Sequence, residues 1–169
     1  ISLAGPANKQ GRIAANNICG IDSHYPGSQG SSIVKVFDMT AAATGINETI
    51  AKSSGLDVDK VILSPMSHAG YYPGGKVMTM KVVFERETYR LLGAQIVGYE
   101  GVDKRIDVLA TAIHANMKAT ELAELDLAYA PPYSSAKDPV NLAGFMIENI
   151  ENGILKQFHI EEIDQLPKD

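Results

Sequence analysis

Two β-rich segments, residues 76–84 (KVMTMKVVF) and 90–99 (RLLGAQIVGY), are separated by only five residues, ERETY. A connection that short lets two strands pair only as an antiparallel hairpin. A third β-rich segment, residues 60–66, precedes them across the turn-rich stretch SHAGYYPGG. Directly after the hairpin, Asp103 opens a long amphipathic helix in which Ile106, Leu109, Ala110, Ile113 and Met117 recur at helical spacing, while Lys104, Arg105 and Asp107 begin it on the polar side. Consecutive strands followed by helices point to the α+β class, an antiparallel sheet with helices packed on one side. With 169 residues the chain is long enough for one domain with a modest core.

The flanking segments fill in around that centre. Residues 7–19 read as a helix with Ile13, Ala14 and Ile18 on one face; Pro6 suits its first turn and Gly20 its end. After the loop SHYPGSQGSS, residues 32–40 (SIVKVFDMT) read as one strand, 41–45 as a loop of small residues, and 47–54 as a short helix stopped by Gly55. Residues 120–124 form a short helix with Thr120 as its N-cap, and 140–152 a last helix closed by Gly153. Residues 157–169 (QFHIEEIDQLPKD) have a strand-then-helix pattern of their own.

Several function classes drop out on composition. The formal net charge is −5 with no basic run, which argues against a surface that tracks nucleic-acid phosphates. The apolar stretches are short and interrupted, so none is expected to span a membrane, and the opening ISLAGPANKQGR has neither the charged nor the apolar region of a signal peptide. A single cysteine, Cys19, excludes an internal disulfide framework; it reads as a small apolar core residue at a helix end, compatible with a reducing cytosol. His24, His68, His114 and His159 are too scattered for a metal site, and no G-x-G-x-x-G follows a strand. Asp103 and Asp107 are expected to compensate the helix dipole and to pair with Lys104 and Arg105. Two irregular loops, HAGYYPGG and YAPPYSS, carry tyrosines in pairs, and such segments are where a scaffold presents function.

Five stretches in order along the chain resemble the coenzyme A-disulfide reductase and NADH oxidase branch of the pyridine nucleotide-disulfide oxidoreductases. They are LAGPANKQGRIAANNICG (residues 3–20), VKVFDMTAAATG (34–45), HAGYYPG (68–74), GYEGVDKRIDVLATAI (98–113) and YAPPYSSAKDPVN (129–141). The resemblance implies that residues 1–20 end an FAD-binding domain and that residues 33–153 are a dimerisation domain. Residues 154–169 are then a linker, whose last thirteen residues resemble the opening of a rhodanese-like sulfurtransferase domain; the alternative is a plain tail helix. It further implies a cytoplasmic homodimer using FAD and NAD(P)H, with coenzyme A disulfide or a persulfide as substrate. The residues that hold most of the flavin, and the redox cysteine, would lie outside this chain, so the chain alone is expected to be inactive.

The resemblance also assigns residues. Leu3 and Ala4 would lie against the isoalloxazine through their backbone, with the helix N-terminus favouring negative charge on the ring. Tyr71, Tyr72, Tyr129 and Tyr133 are the expected catalytic candidates, reaching into the partner subunit's site to donate a hydrogen bond to a developing thiolate; Tyr71 and Tyr129 are favoured. The alternative is that these tyrosines pack and satisfy one hydroxyl each. Lys137 and Lys76 would meet the phosphates of coenzyme A, against the alternative of solvated loop lysines, and His68 is a further substrate-side candidate or a residue that caps its own turn. Where glutathione-reductase-like relatives carry a catalytic His in HPT-x-x-E, this chain reads KATELAE with Lys118 at the His position. That departure favours the single-cysteine branch. An NADH oxidase, or a free-standing dimerisation module, are the competing readings.

Overall fold

The computed structural model describes residues 3–165. Five strands, β1 (Ser32–Val36), β2 (Met39–Gly45), β3 (Val58–Leu63), β4 (Met78–Glu85) and β5 (Leu91–Gly98), form one sheet in the order β1-β2-β5-β4-β3, every neighbouring pair antiparallel. The hairpin expected at ERETY joins β4 to β5. A helix, α1 (Ala4–Ile18), precedes the sheet and buries none of its residues.

The sheet's core face is set by alternation. Met78, Met80, Val82 and Phe84 on β4 and Ala94 and Ile96 on β5 point to the same side, and all are buried. Two helices cover them: α3 (Val102–His114) through Ile106, Leu109 and Ala112, and α4 (Pro139–Glu151) through Val140, Ala143 and Ile147. Burying an aliphatic side chain of this size contributes about 1.5–3 kcal/mol. Helix α4 also approaches the short 3-10 helix Thr120–Glu124 so closely that a Cβ on Gly144 would lie 2.2 Å from the Ala123 nitrogen. On the opposite face the short helix α2 (Glu48–Ser53) covers one corner, where Ala51 packs with Val58, Val83 and Leu92. Leu92 reaches that side because the β4–β5 register slips between Val83 and Phe84.

Four expectations need correction. Residues 41–45 are not a loop but most of β2; the expected single strand over 32–40 breaks at Phe37–Asp38, where Phe37 adopts φ 53°. The run of small residues reflects close packing: Ala42 and Thr44 are buried, and a Cβ on Gly45 would lie 2.2 Å from the Leu92 carbonyl. Thr120 is not an N-cap, since the 3-10 helix starts after Ala119 and the Glu121 carboxylate reaches back to accept the Lys118 N–H at 2.6 Å. Cys19 is exposed, because nothing among the described residues packs over α1. Residues 157–159 form no strand; Ile160–Gln165 is a 3-10 helix, and residues 166–169 of that expected unit lie outside the described ones, as do Ile1 and Ser2.

Candidate functional site

The two tyrosine loops meet at one end of the sheet. The first, residues 64–77, connects β3 to β4 and is closed at its base by the Met66–Val77 bridge and by the Ser67 N–H donating to the Lys76 carbonyl at 2.7 Å. The second, residues 125–138, leads into α4. The Ala69 N–H donates to the Ser134 carbonyl at 2.9 Å and joins them. At their tips the hydroxyls of Tyr71 and Tyr129 lie 2.9 Å apart, a good O–H···O hydrogen bond. Tyr72 and Tyr133 are also exposed but do not share in that bond; Tyr72 packs edge-on against the His68 ring at 5.8 Å.

Behind the loops sits Arg105 on α3. It was expected on the polar side of that helix, paired with its acidic neighbours; instead it is 1% exposed and pairs with Asp138. Its Nη2 donates to the Asp138 carboxylate and to the Ser67 carbonyl, both at 2.9 Å, with longer contacts to the Tyr133 carbonyl and Ser134 Oγ. Its Nε also faces Asp138, at 3.2 Å, and Nη1 donates to the Gly101 carbonyl at 3.2 Å. The spacing did carry a signal: Arg105 is three residues after Val102 and four before Leu109, on the buried stripe of α3. Asp103 stands in the first turn of α3, where it complements the dipole.

Asp138 serves two structures at once. As N-cap of α4 it accepts from the Val140 N–H at 3.0 Å, and Asn141 reciprocates by accepting from the Asp138 N–H at 3.1 Å. Burial by itself would raise its carboxyl pKa. The Arg105 guanidinium, the Ser134 hydroxyl at 2.6 Å and the Val140 N–H outweigh that and hold it below the ordinary carboxylate value.

The hydrogen bond with the Tyr71 hydroxyl raises the Tyr129 phenol above its ordinary pKa. Either hydroxyl can donate in this bond, so one of the two phenol protons is left for an acceptor outside the pair. The other expected substrate-side residues are spread around this edge. His68 is buried and turned into its own loop, where an Nε2–H tautomer donates to the Pro73 carbonyl at 3.2 Å and Nδ1 accepts from Ser67 at 3.2 Å. Lys76 points to solvent. Lys137 Nζ lies 5.9 Å from the Phe145 ring centroid, beside a groove of about 400 Å³ lined by Leu63, Pro65, Phe145 and Met146. Leu3 and Ala4 are remote from the tyrosines in sequence. Leu3, the N-cap of α1, makes no side-chain cap bond, so among the described residues no side chain takes up the first N–H groups of α1, which fits an electronegative ring edge such as a flavin's. Lys118 is exposed, with its backbone bridged to Arg90 at the start of β5.

A second charged cluster lies across the sheet, at the β3 edge. The Glu48 carboxylate faces Lys52 at 2.6 Å, Lys60 at 2.9 Å and Lys81 at 2.5 Å, and Lys60 also binds Glu161 at 2.7 Å. Burial acts to raise the Glu48 pKa, and the three lysines override it and hold the group well below the carboxylate range. Gln157 donates to the Lys60 carbonyl at 2.7 Å. Among the described residues no group of His, Cys, Asp and Glu could hold a metal ion, and no helix is long and apolar enough to cross a membrane.

The model of the pyridine nucleotide-disulphide oxidoreductase dimerisation domain matches residues 31–139. A coenzyme A disulfide reductase from Staphylococcus epidermidis is 42% identical over 146 residues, 86% of this chain and 33% of that protein. Among solved structures, reduced CoADR-RHD from Bacillus anthracis superposes with a TM-score of 0.93 at 48% identity, over 98% of this chain and 30% of that one. An NAD-dependent persulfide reductase from A. fulgidus gives 0.88 at 46% identity, over 92% and 29%. The chain thus spans about a third of the length of the curated relatives it matches.

Proposed function

Since this chain belongs to the pyridine nucleotide-disulphide oxidoreductase dimerisation-domain family, we propose that it is the dimer-forming, C-terminal portion of an FAD-dependent, NAD(P)H-driven reductase of coenzyme A disulfide or a related persulfide. In this reading residues 1–20 end the FAD-binding domain, residues 33–153 form the dimerisation domain, and residues 154–169 lead toward a rhodanese-like domain. The assembly is a cytoplasmic homodimer. The names of the relatives support the substrate class, and the apolar side chains left exposed on the β1–β2 hairpin (Ile33, Val34, Val36 and Phe37) support assembly onto further protein surface.

The observation that carries the catalytic part is the Tyr71–Tyr129 hydrogen bond at 2.9 Å between two exposed loops. Whichever hydroxyl donates, the bond polarises the pair and leaves one phenol proton for an outside acceptor. Placed in a partner subunit's site, that proton would hydrogen-bond a thiolate as it leaves a disulfide, which stabilises charge where it develops. A loop surface that presents donors outward, with no redox cysteine of its own, suits a contribution across a dimer. Lys137 and Lys76 would meet the phosphates of a coenzyme A moiety. FAD, when bound, would supply the electron relay from NAD(P)H; Leu3 and Ala4 would face it with the free N–H groups of α1.

In the intact flavoprotein, Tyr71→Phe and Tyr129→Phe are each expected to lower kcat for coenzyme A disulfide roughly a hundredfold, with the flavin still bound. Undiminished turnover in both variants would overturn the catalytic role.

A further inference from the structure

We propose that Arg105 is a positioning residue for the Tyr71–Tyr129 pair, fixing the separation of the two loops by holding Ser67 of one and Asp138 of the other on a single guanidinium. This rests on the reading of those tyrosines given above. The geometry is specific to a guanidinium. Nη2 carries two protons, and its two shortest contacts, both 2.9 Å, go one to each loop: the Ser67 carbonyl and the Asp138 carboxylate.

Each contact lies at the root of its loop. The Ser67 N–H donates to the Lys76 carbonyl at 2.7 Å and the Ser67 hydroxyl accepts the Lys76 N–H at 3.1 Å, so holding Ser67 holds both strands of the turn that carries Tyr71. Asp138 is the N-cap of α4, so holding it fixes the end of the segment that carries Tyr129. The neighbouring residue on α3 adds a second tie: Lys104 Nζ donates to the Ala128 carbonyl, next to Tyr129, at 3.2 Å. Thus α3 supplies the common frame for both hydroxyls.

Room for the guanidinium is built in. Gly101, the residue before α3, has φ 71°, and a Cβ there would lie 2.1 Å from Arg105 Nη1. A lysine ammonium could reach the Asp138 carboxylate, but it lacks the planar group that meets Asp138 through Nε and Nη2 while Nη2 and Nη1 also reach the Ser67 and Gly101 carbonyls. A hydroxyl pair tolerates only a few tenths of an ångström before the bond weakens, so slackening at the loop roots is read directly at the tips.

The test places 3-fluorotyrosine at position 129 of the intact flavoprotein and follows its ionisation by fluorine NMR into the alkaline range. Tyr71→Phe sets the value for an unpaired Tyr129. Arg105→Lys, and the milder Ser134→Ala should the first variant fold poorly, are expected to shift Tyr129 down toward that value, with Arg105→Lys the larger shift. A Tyr129 titration unmoved by Arg105→Lys or Ser134→Ala, while Tyr71→Phe lowers it, overturns the proposal. So does a Tyr129 that ignores Tyr71→Phe, because there would then be no pair to hold. Turnover separates this from the parent reading. In a Tyr129→Phe background, Arg105→Lys is expected to cost no further kcat, whereas a purely structural role would cost the same in both backgrounds. If Tyr129→Phe leaves turnover intact, the catalytic reading fails while the titration still decides the role of Arg105.

Discussion

Two charged knots sit on opposite faces of the sheet, and both centre on a carboxylate held below its ordinary pKa. They differ in what surrounds it. At Asp138 the close partner is one guanidinium, with the Lys104 ammonium farther off at 3.8 Å; the Asp138 and Arg105 side chains are 3% and 1% exposed, and Arg105 also reaches the backbone carbonyls of Gly101, Ser67 and Tyr133. At Glu48 the partners are three lysines, one of them 62% exposed, and Lys60 has a second carboxylate in reserve in Glu161, itself 60% exposed. The first knot fixes geometry because both members of its close pair are buried away from water. The second holds segments together through redundancy, and water can replace its exposed ties, those of Lys52 and Glu161.

Substitutions can break this contrast. The largest loss is expected for Asp138→Ala, about 3–5 kcal/mol, because it strands a buried Arg105 and removes the α4 cap; urea midpoints measure it. Glu48→Gln is expected to cost less, about 1–2 kcal/mol, since Lys60 keeps Glu161. That loss should shrink as salt is added, while the Asp138 loss should not. Equal losses, equally salt-sensitive, would erase the distinction. On the acid side both carboxylates have depressed folded pKa values, so their stabilisation is present above the ordinary carboxylate range, about pH 4, and is lost as pH falls through the folded values. Asp138→Asn, which keeps a cap, should therefore flatten the stability-versus-pH curve below that point; an unchanged slope would mean that Asp138 is not charge-coupled to Arg105. The smallest effect belongs to Lys52→Ala, within about 0.5 kcal/mol, an exposed i,i+4 pair on α2.

The same contrast explains what could be read from the sequence. Alternation along β4 and β5 and the short polar turn between them made the hairpin legible, and the helical spacing of Ile106, Leu109 and Ile113 made α3 legible. β2 was hidden because its residues are chosen for closeness rather than for strand propensity; Ala42 and Gly45 read as loop only when the chain packed against them is unknown. Arg105 was hidden by its charge. Periodicity places it on the core stripe, yet a charge there is acceptable only with a buried partner, and Asp138 is thirty-three residues away. The tyrosine loops drew notice through their composition and their resemblance to known proteins. That the hydroxyls of Tyr71 and Tyr129 meet is a tertiary fact, since fifty-eight residues separate them.

The two rims of the sheet are treated unequally. On β3 the Gln157 amide occupies the Lys60 carbonyl, and Glu161 ties the same residue down, so the tail lies along that rim like a selvedge. β1 has no such binding among the described residues: Ile33, Val34 and Val36 are about half exposed, and Lys35 is the strand's one charge. A foreign strand looking for a template would find it there. If the chain aggregates on partial unfolding or at high concentration, growth should begin at β1, and a second charge at Val34 should slow that growth while weakening any assembly made through the same hairpin.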